Sequence, residues 1–271
     1  MVNDPTKTLT LRRQAVSSIN AKFNLLSRKV KERINQKKGL ILTNAVETAE
    51  QLDEFSVWLE ALIASIILIR QGRWFTDPIK IAYARGANQS RRAFKKNKVR
   101  AEATETLGLL TGFNTTSKSP IFDHSRHKIV FDILAKKDFT SLEAVTKTMS
   151  SEINRVLSQG ILRGESIEEI ASAVTDRINK IGKTRARLIS RSEIAHAYKL
   201  ATVEEGEILK QLFVSKEVLY LWITAIDGRE RDSHRLQNGK KYKKANLPPL
   251  DEPNCRCSIA PELVNKKNKK R

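Results

Sequence analysis

Hydrophobic residues recur every three or four positions over the first two thirds of the chain, which is the spacing of an α-helix that buries one face. The pattern predicts a helix over residues 6–38 and a second helix over residues 44–71. Further helical patterns cover residues 79–110, 123–135 and 141–157. The amino-terminal region is therefore expected to be mainly helical.

Local signals subdivide this helical region. Residues 111–120 are small, polar and rich in turn formers, which is typical of a linker. Ser166 and Glu169 have the spacing of a capping box, in which the hydroxyl and the carboxylate satisfy free amides of the first turn, so a helix is expected to begin there. Thr184 is expected to cap another helix over residues 185–212.

After these helices the pattern becomes extended. Residues 218–224 are β-branched and aromatic and run into the turn dipeptide Asp227-Gly228, which predicts a strand. A second turn is expected at Asn238-Gly239, and residues 254–261 are expected to pair with the first strand. The fold class predicted is α+β, with a mainly helical amino-terminal region followed by a small α+β carboxy-terminal domain that contains a short antiparallel sheet.

The charge of the chain favours a polyanionic partner. Its 271 residues include 50 Lys and Arg against 30 Asp and Glu, giving a net charge of +20 and a pI near 10.1. Double-stranded DNA bound through its backbone without sequence preference is the expected partner, because only 6% of the residues are aromatic and base stacking is not favoured. The candidate DNA-binding residues lie in one segment without acidic residues: Arg85, Arg91, Arg92, Lys95, Lys96, Lys98 and Arg100.

Membrane and export signals are not expected. The longest apolar run, residues 61–69, is far shorter than the roughly 18 residues of a membrane span. The first residues lack the basic and apolar regions of a signal peptide, and two cysteines do not make a disulfide framework. Folding in a reducing cytoplasm is the expectation.

Residues capable of binding or catalysis crowd between Trp222 and Cys257, and their order is informative. The string resembles the carboxy-terminal signature of the phage Mu F-like minor head protein family, the head morphogenesis proteins of tailed phages. The residues that carry the resemblance are Arg191, Glu193, Trp222, Asp227, Arg229, Arg231, His234, Asn238, Gly239, Pro253, Asn254, Cys255, Arg256 and Cys257. The resemblance covers roughly residues 150–261, and it departs from the family at Glu252, where family members often carry histidine.

The resemblance implies a non-enzymatic minor head protein that acts in head assembly. It implies the portal protein, the major capsid protein or the scaffolding protein as partners, with no small-molecule substrate. The expected location is the capsid interior near the packaged DNA, and the host cytoplasm during assembly. The corresponding domains are a helical basic arm or domain over residues 1–115, a helical connector over 116–150, a Mu F-like domain over 151–261 and a basic tail over 262–271.

The cysteines allow more than one interpretation. On a strand, Cys255 and Cys257 share one face, and His234 and Asp227 come from a preceding turn that can reach it. These four residues form a donor set that zinc accepts, which predicts a structural zinc site, although the Cys-x-Cys spacing is unusual and only two thiolates are available. Reduced cysteines packed in the core, or a redox or disulfide role, are the alternatives.

An enzyme is the rival function. The Asp, His and Arg residues of this string suit a metal-dependent nuclease or a toxin-like effector, but the remaining histidines lie far upstream on predicted helices. Ion pairs that stiffen the loop explain the charged residues more simply. Arg191 and Glu193 are likewise expected to form buried polar contacts between a helix and the turn around Asp227.

Overall fold

The computed structural model describes residues 4–36, 45–68, 73–96, 120–211, 213 and 216–265. The long helices within these ranges are α1 (Leu9–Asn35), α2 (Ala45–Ile66), α3 (Arg73–Lys96), α4 (Ser125–Leu162) and α5 (Ile167–Lys210). A short 3-10 helix, Pro120–Asp123, precedes α4. Most of the predicted linker, the end of the helix predicted over 79–110 and the basic tail after residue 265 lie outside the described residues.

The carboxy-terminal part contains a three-stranded antiparallel sheet. Its elements are β1 (Lys216–Ile223), the four-residue helix α6 (Asp232–Arg235), β2 (Lys241–Tyr242), a 3-10 turn (Lys244–Asn246) and β3 (Ser258–Asn265). The strand order is β2-β1-β3, so β1 is central, with Tyr220 opposite both Tyr242 and Pro261. The predicted α+β class, the predicted strand and its pairing with the carboxy-terminal segment are confirmed.

The predicted start of α5 is also confirmed. The Ser166 amide donates a hydrogen bond to Glu169 Oε2 at 2.8 Å, and the Glu169 amide donates to Ser166 Oγ at 3.3 Å. These are the reciprocal bonds of a capping box, so two amides that the helix leaves unpaired are satisfied.

Two predicted helix boundaries are wrong. The pattern predicts separate helices over residues 123–135 and 141–157, but α4 runs through both because residues 136–140 contain neither glycine nor proline to end it. Thr184 does not begin a helix, since α5 continues from Ile167 to Lys210. The preceding Gly182 is required by packing, because a Cβ there would lie 2.5 Å from the Phe23 ring.

The described residues group into two compact units. Unit 1 comprises Met1–Gln14, Thr76–Leu134 and Leu188–Arg271, and unit 2 comprises Ala15–Phe75 and Ala135–Arg187. Buried residues of unit 2 include Phe23, Leu26, Leu59, Ile153 and Val174. The core of unit 1 surrounds the sheet and includes Phe94, Val203, Phe213, Tyr220 and Trp222. None of the described helices combines the length and apolar character needed to cross a membrane.

Candidate functional site

Three potential donor side chains converge in unit 1 where the chain passes from α6 to β3. His234 Nδ1 lies 3.6 Å from Cys255 Sγ and 3.3 Å from Cys257 Sγ. All three residues are at most 4% exposed, and the Trp222 ring packs edge-on against the His234 ring with centroids 5.8 Å apart. We call His234, Cys255 and Cys257 the donor cluster. The sequence predicts that these residues meet.

The orientation of His234 is fixed from its other side. Its Nε2 lies 2.8 Å from Glu252 Oε2, and the same carboxylate oxygen accepts a hydrogen bond from Arg231 at 2.7 Å. Arg231 also donates to the carbonyl of Pro253 at 2.8 Å. An ionised carboxylate only accepts hydrogen bonds, so Nε2 carries the proton and the Nδ1 lone pair faces the two sulfurs. Glu252 therefore contacts the ring nitrogen of His234 that faces away from the cysteines, and it does not belong to the donor cluster.

A tight turn brings the cysteines to this position. The Cys255 amide donates to the Glu252 carbonyl at 3.2 Å across Pro253 and Asn254, and Asn254 has a φ of 58°. Proline at the second position and a residue with positive φ at the third are the features of a type II turn. The prediction that both cysteines lie on a strand is wrong, because β3 begins only at Ser258. The turn sets the position of Cys255, and the buried, half-buried, buried pattern of Cys255, Arg256 and Cys257 places both thiols on one side of the chain, toward His234.

Asp227 does not join the donor cluster, which corrects its expected role as a metal ligand. Arg256 donates two hydrogen bonds to its carboxylate, one of them to Oδ1 at 2.7 Å, and Arg229 donates to Oδ2 at 2.9 Å. The bond from Arg256, aided by those from Arg229, holds the pKa of Asp227 far below its usual value despite partial desolvation. Its function here is to hold Arg256 and the turn at Gly228, whose φ is 76°.

The Asn238-Gly239 turn ties α6 to the central strand. Asn238 Oδ1 accepts a hydrogen bond from the Thr224 amide at 2.9 Å, and the Gly239 amide donates to the Trp222 carbonyl at 2.9 Å. Gly239 has a φ of 79°, so the predicted turn is present and requires glycine-like backbone. The two bonds fix the start of the loop that carries His234.

A buried lysine that the sequence pattern does not indicate lies next to the donor cluster. Lys199 of α5 is 1% exposed, and its Nζ lies 3.4 Å from Cys255 Sγ. The hydrogen bond from the Cys257 thiol, together with the positive charge of Lys199, lowers the pKa of Cys255, whereas the neighbouring Cys255 and burial raise the pKa of Cys257. The pair therefore holds one thiolate readily, and both cysteines are free.

Comparison with known proteins identifies the part of the chain that contains this cluster. Residues 151–260 match the family model described as phage Mu protein F like protein. This segment is Mu F-like. The resemblance expected from the Trp222-to-Cys257 string is confirmed over nearly the residues predicted.

The similar proteins found by sequence comparison are themselves uncharacterized. An uncharacterized protein of Haemophilus influenzae is 28% identical over 132 residues, which are 46% of this chain and 27% of that protein. An uncharacterized protein of Methanocaldococcus jannaschii is 27% identical over 150 residues, which are 54% of this chain and 23% of that protein. The matches thus span about a quarter of the length of these relatives. No solved structure matches significantly.

The upstream triplet of the Mu F-like segment contacts the cysteine turn differently from the prediction. Arg191 is exposed and Glu193 is half-buried, so they do not form the buried polar pair expected. The residue between them makes the contact: Ser192 is 8% exposed, and its Oγ accepts a hydrogen bond from the Asn254 amide at 3.0 Å. A helix places Ser192 on a different side from its neighbours, which is why it faces the turn when they do not.

The basic segment before the Mu F-like segment is only partly available for DNA. Arg91 is turned inward, with its Nε 2.5 Å from Glu205 Oε1, which corrects its assignment to a DNA-facing surface. Arg85 and Arg92 line a cavity of about 730 Å³, together with Lys7. Asn88 also lines it; this side chain is 7% exposed, and its Nδ2 has no hydrogen-bond partner among the described residues. The side chains of Lys95 and Lys96, and all of Lys98 and Arg100, lie outside the description.

Proposed function

We propose that this chain is a minor head protein of a tailed bacteriophage, which acts in head assembly and has no catalytic activity. The observation that carries the proposal is the match of residues 151–260 to the phage Mu protein F like family. The match includes the whole Trp222-to-Cys257 string, whose residues fold around one buried cluster. The capsid interior near the packaged genome is the proposed location.

The arrangement of the motif residues supports a structural role. Asp227 binds Arg256, Arg231 binds Glu252, and the Asn254 amide binds Ser192, so these polar groups are occupied by one another. His234 is 3% exposed, and both ring nitrogens face protein groups. A general acid or base needs a ring nitrogen directed at the substrate proton, whereas both nitrogens of this histidine are directed at Glu252 and the cysteines. The motif is suited to holding a rigid module.

Cross-linking mass spectrometry on purified phage heads and procapsids tests the proposal. The exposed lysines Lys7, Lys128 and Lys240 are reporters on unit 1. We expect cross-links from these lysines to the portal protein, the inner face of the major capsid protein or, in procapsids, the scaffolding protein. An abundant host cytoplasmic protein carried through the same preparation serves as the control for chance cross-links. Absence of the chain from both kinds of particle would overturn the proposal.

Double-stranded DNA is the proposed second partner. Lys7, Arg85 and Arg92 line one cavity. Three cations around one cavity suit the oxygens of a phosphate, and each cation placed at a phosphate releases counterions from DNA. The net charge of +20 supports the same partner.

A metal-dependent nuclease is the function that this proposal rejects, and one assay separates the two. Plasmid DNA is incubated with the chain and each of Mg²⁺, Mn²⁺ and Zn²⁺, in parallel with His234→Ala. We expect no cleavage above the buffer control with either chain. Cleavage by the unaltered chain that is lost in the variant would establish an enzyme and refute the non-enzymatic role.

A further inference from the structure

The donor cluster has the dimensions of a tetrahedral metal site. Zinc–sulfur bonds of about 2.3 Å and zinc–nitrogen bonds of about 2.0 Å place the nitrogen and sulfur ligands of a tetrahedron about 3.5 Å apart. The separations of 3.6 and 3.3 Å between His234 Nδ1 and the two sulfurs are close to this value. The three donor atoms lie within 4.8 Å of one another.

The surroundings of His234 are those that a metal-binding histidine requires. Its Nε2 is 2.8 Å from Glu252 Oε2, which leaves the Nδ1 lone pair directed at the sulfurs. A carboxylate behind the histidine fixes its tautomer and increases the basicity of the coordinating nitrogen. Arg231 holds this carboxylate in turn, so the ligand is oriented before any ion arrives.

Hydrogen bonds also fix the backbone that carries the two thiols. The turn from Glu252 to Cys255 is anchored by the bond from the Asn254 amide to Ser192, and Arg256 is anchored by Asp227. Lys199 Nζ, 3.4 Å from Cys255 Sγ, is placed to donate a hydrogen bond to a coordinated thiolate. A cavity of about 100 Å³ borders all three donors. Since a water molecule occupies about 30 Å³, the cavity has room for a water as fourth ligand.

We propose that His234 Nδ1, Cys255 Sγ and Cys257 Sγ bind one zinc ion, with water in the fourth position. Zinc is the metal chosen because thiolate and imidazole donors in a tetrahedral arrangement are its preferred set. The ion would join α6 to the start of β3 and close the loop between them. This site is independent of the proposed function, since it requires only the geometry of the donor cluster.

The test uses the full chain, purified without metal-affinity resin, stripped by chelator and then titrated with Zn²⁺ or Co²⁺. We expect one equivalent of zinc after dialysis, and Co²⁺ absorption bands that show sulfur coordination in a tetrahedral site. Alkylation of both cysteines, followed by mass spectrometry, should slow at least tenfold when zinc is bound. Excess chelator should restore the original rate.

Variants localise the site. Cys257→Ser and His234→Ala should bind less than a tenth of the zinc of the unaltered chain, whereas the exposed His124→Ala should bind as much. If the site variants do not fold, the zinc titration and the alkylation rates of the unaltered chain test the proposal by themselves. Folded, stripped chain that binds no zinc would overturn the proposal. Zinc binding that leaves the alkylation rates unchanged would also overturn it, because the metal would then lie elsewhere.

Discussion

At the scale of single residues, Asn254 shows how one backbone angle positions the thiols. Its φ of 58° is unfavourable for most side chains, and its own side chain is exposed. Replacing it with alanine should lower the free energy of unfolding by about 1 kcal/mol, because alanine resists this conformation and loses no buried contact. Asn254→Gly is the matched control and should be neutral or slightly stabilising. Urea denaturation measures both, and equal losses in the two variants would contradict the turn assignment.

The same residues show what the sequence predicts well. Proline followed by asparagine indicates a turn locally, so the turn at Pro253 and Asn254 can be assigned from the sequence alone. The roles of Lys199 and Ser192 cannot, because these residues lie 56 and 62 positions before their partners Cys255 and Asn254. The only local signal for Lys199 is its position four residues after the buried Ala195, on the apolar face of a helix.

At the scale of elements, α3 packs against α5 at a glycine. A Cβ on Gly86 would lie 2.0 Å from the Tyr198 carbonyl oxygen, and a backbone atom inside a helix does not move aside. Helix propensity alone predicts that Gly86→Ala stabilises the protein by about 1 kcal/mol. Overpacking predicts the opposite sign, with a loss of about 1–3 kcal/mol, and we expect the loss.

The comparison variant for this prediction is Gly206→Ala in α5. The nearest atom to a Cβ there is the Tyr220 hydroxyl at 2.6 Å, which is farther away than the Tyr198 oxygen is from Gly86 and belongs to a side chain instead of the backbone. Its destabilisation in thermal or urea unfolding should therefore be smaller than that of Gly86→Ala. An increase in stability for Gly86→Ala would refute the close approach of the two helices.

A buried polar network joins three helices and makes stability depend on pH. Glu205 of α5 binds His127 of α4 at 2.6 Å and Arg91 of α3 at 2.5 Å, and Tyr83 lies 3.0 Å from the other nitrogen of His127. Burial raises the pKa of Glu205, but the hydrogen bond from His127 and the charge of Arg91 outweigh it and leave the pKa below its usual value. The stabilisation is therefore present above the usual carboxyl pKa and is lost as the pH falls through the lowered one.

Glu205→Gln tests this network. At pH 7 it should lower the free energy of unfolding by about 3 kcal/mol, since the substitution breaks the buried ion pair between Glu205 and Arg91. The difference from the unaltered chain should shrink as the pH falls from the usual carboxyl pKa toward the lowered pKa of Glu205, where its carboxylate becomes protonated in the folded chain. Glu32→Gln, which removes an exposed pair with Lys29, should change stability by less than about 0.5 kcal/mol. A loss that stays constant from pH 7 to pH 3 would contradict the assignment.

Helix boundaries show where local sequence is insufficient. The capping box at Ser166 is complete within four residues, so the start of α5 is predictable. Glycine often ends a helix, yet Gly182 and Gly86 lie inside helices, at positions where Phe23 and Tyr198 leave no room for a Cβ. Those partners are more than 100 residues away, and a local pattern does not identify them.

At the scale of the whole molecule, composition predicts a polyanionic partner but not which cations meet it. If all seven basic residues of the 85–100 segment touched phosphates, log affinity against log salt concentration would have a slope of about −6. Arg91 is instead engaged with Glu205, and Lys7, distant in sequence, joins Arg85 and Arg92 at one cavity. Tertiary packing thus removes Arg91 from the predicted set of cations and places Lys7, which the sequence pattern does not indicate, beside Arg85 and Arg92.

These three cations make a quantitative prediction for DNA binding. If each of Lys7, Arg85 and Arg92 neutralises one phosphate, replacing all three with alanine should reduce the magnitude of the salt slope by about 2.7, from roughly 0.9 per contact. Fluorescence anisotropy with a labelled random-sequence duplex, titrated at several salt concentrations, measures the slope. Lys128→Ala, an exposed cation of the same unit outside the cavity, should leave it unchanged. If the triple variant retains the full slope, DNA contacts other basic residues and the cavity is not its binding site; if the unaltered chain has no slope, DNA is not a partner.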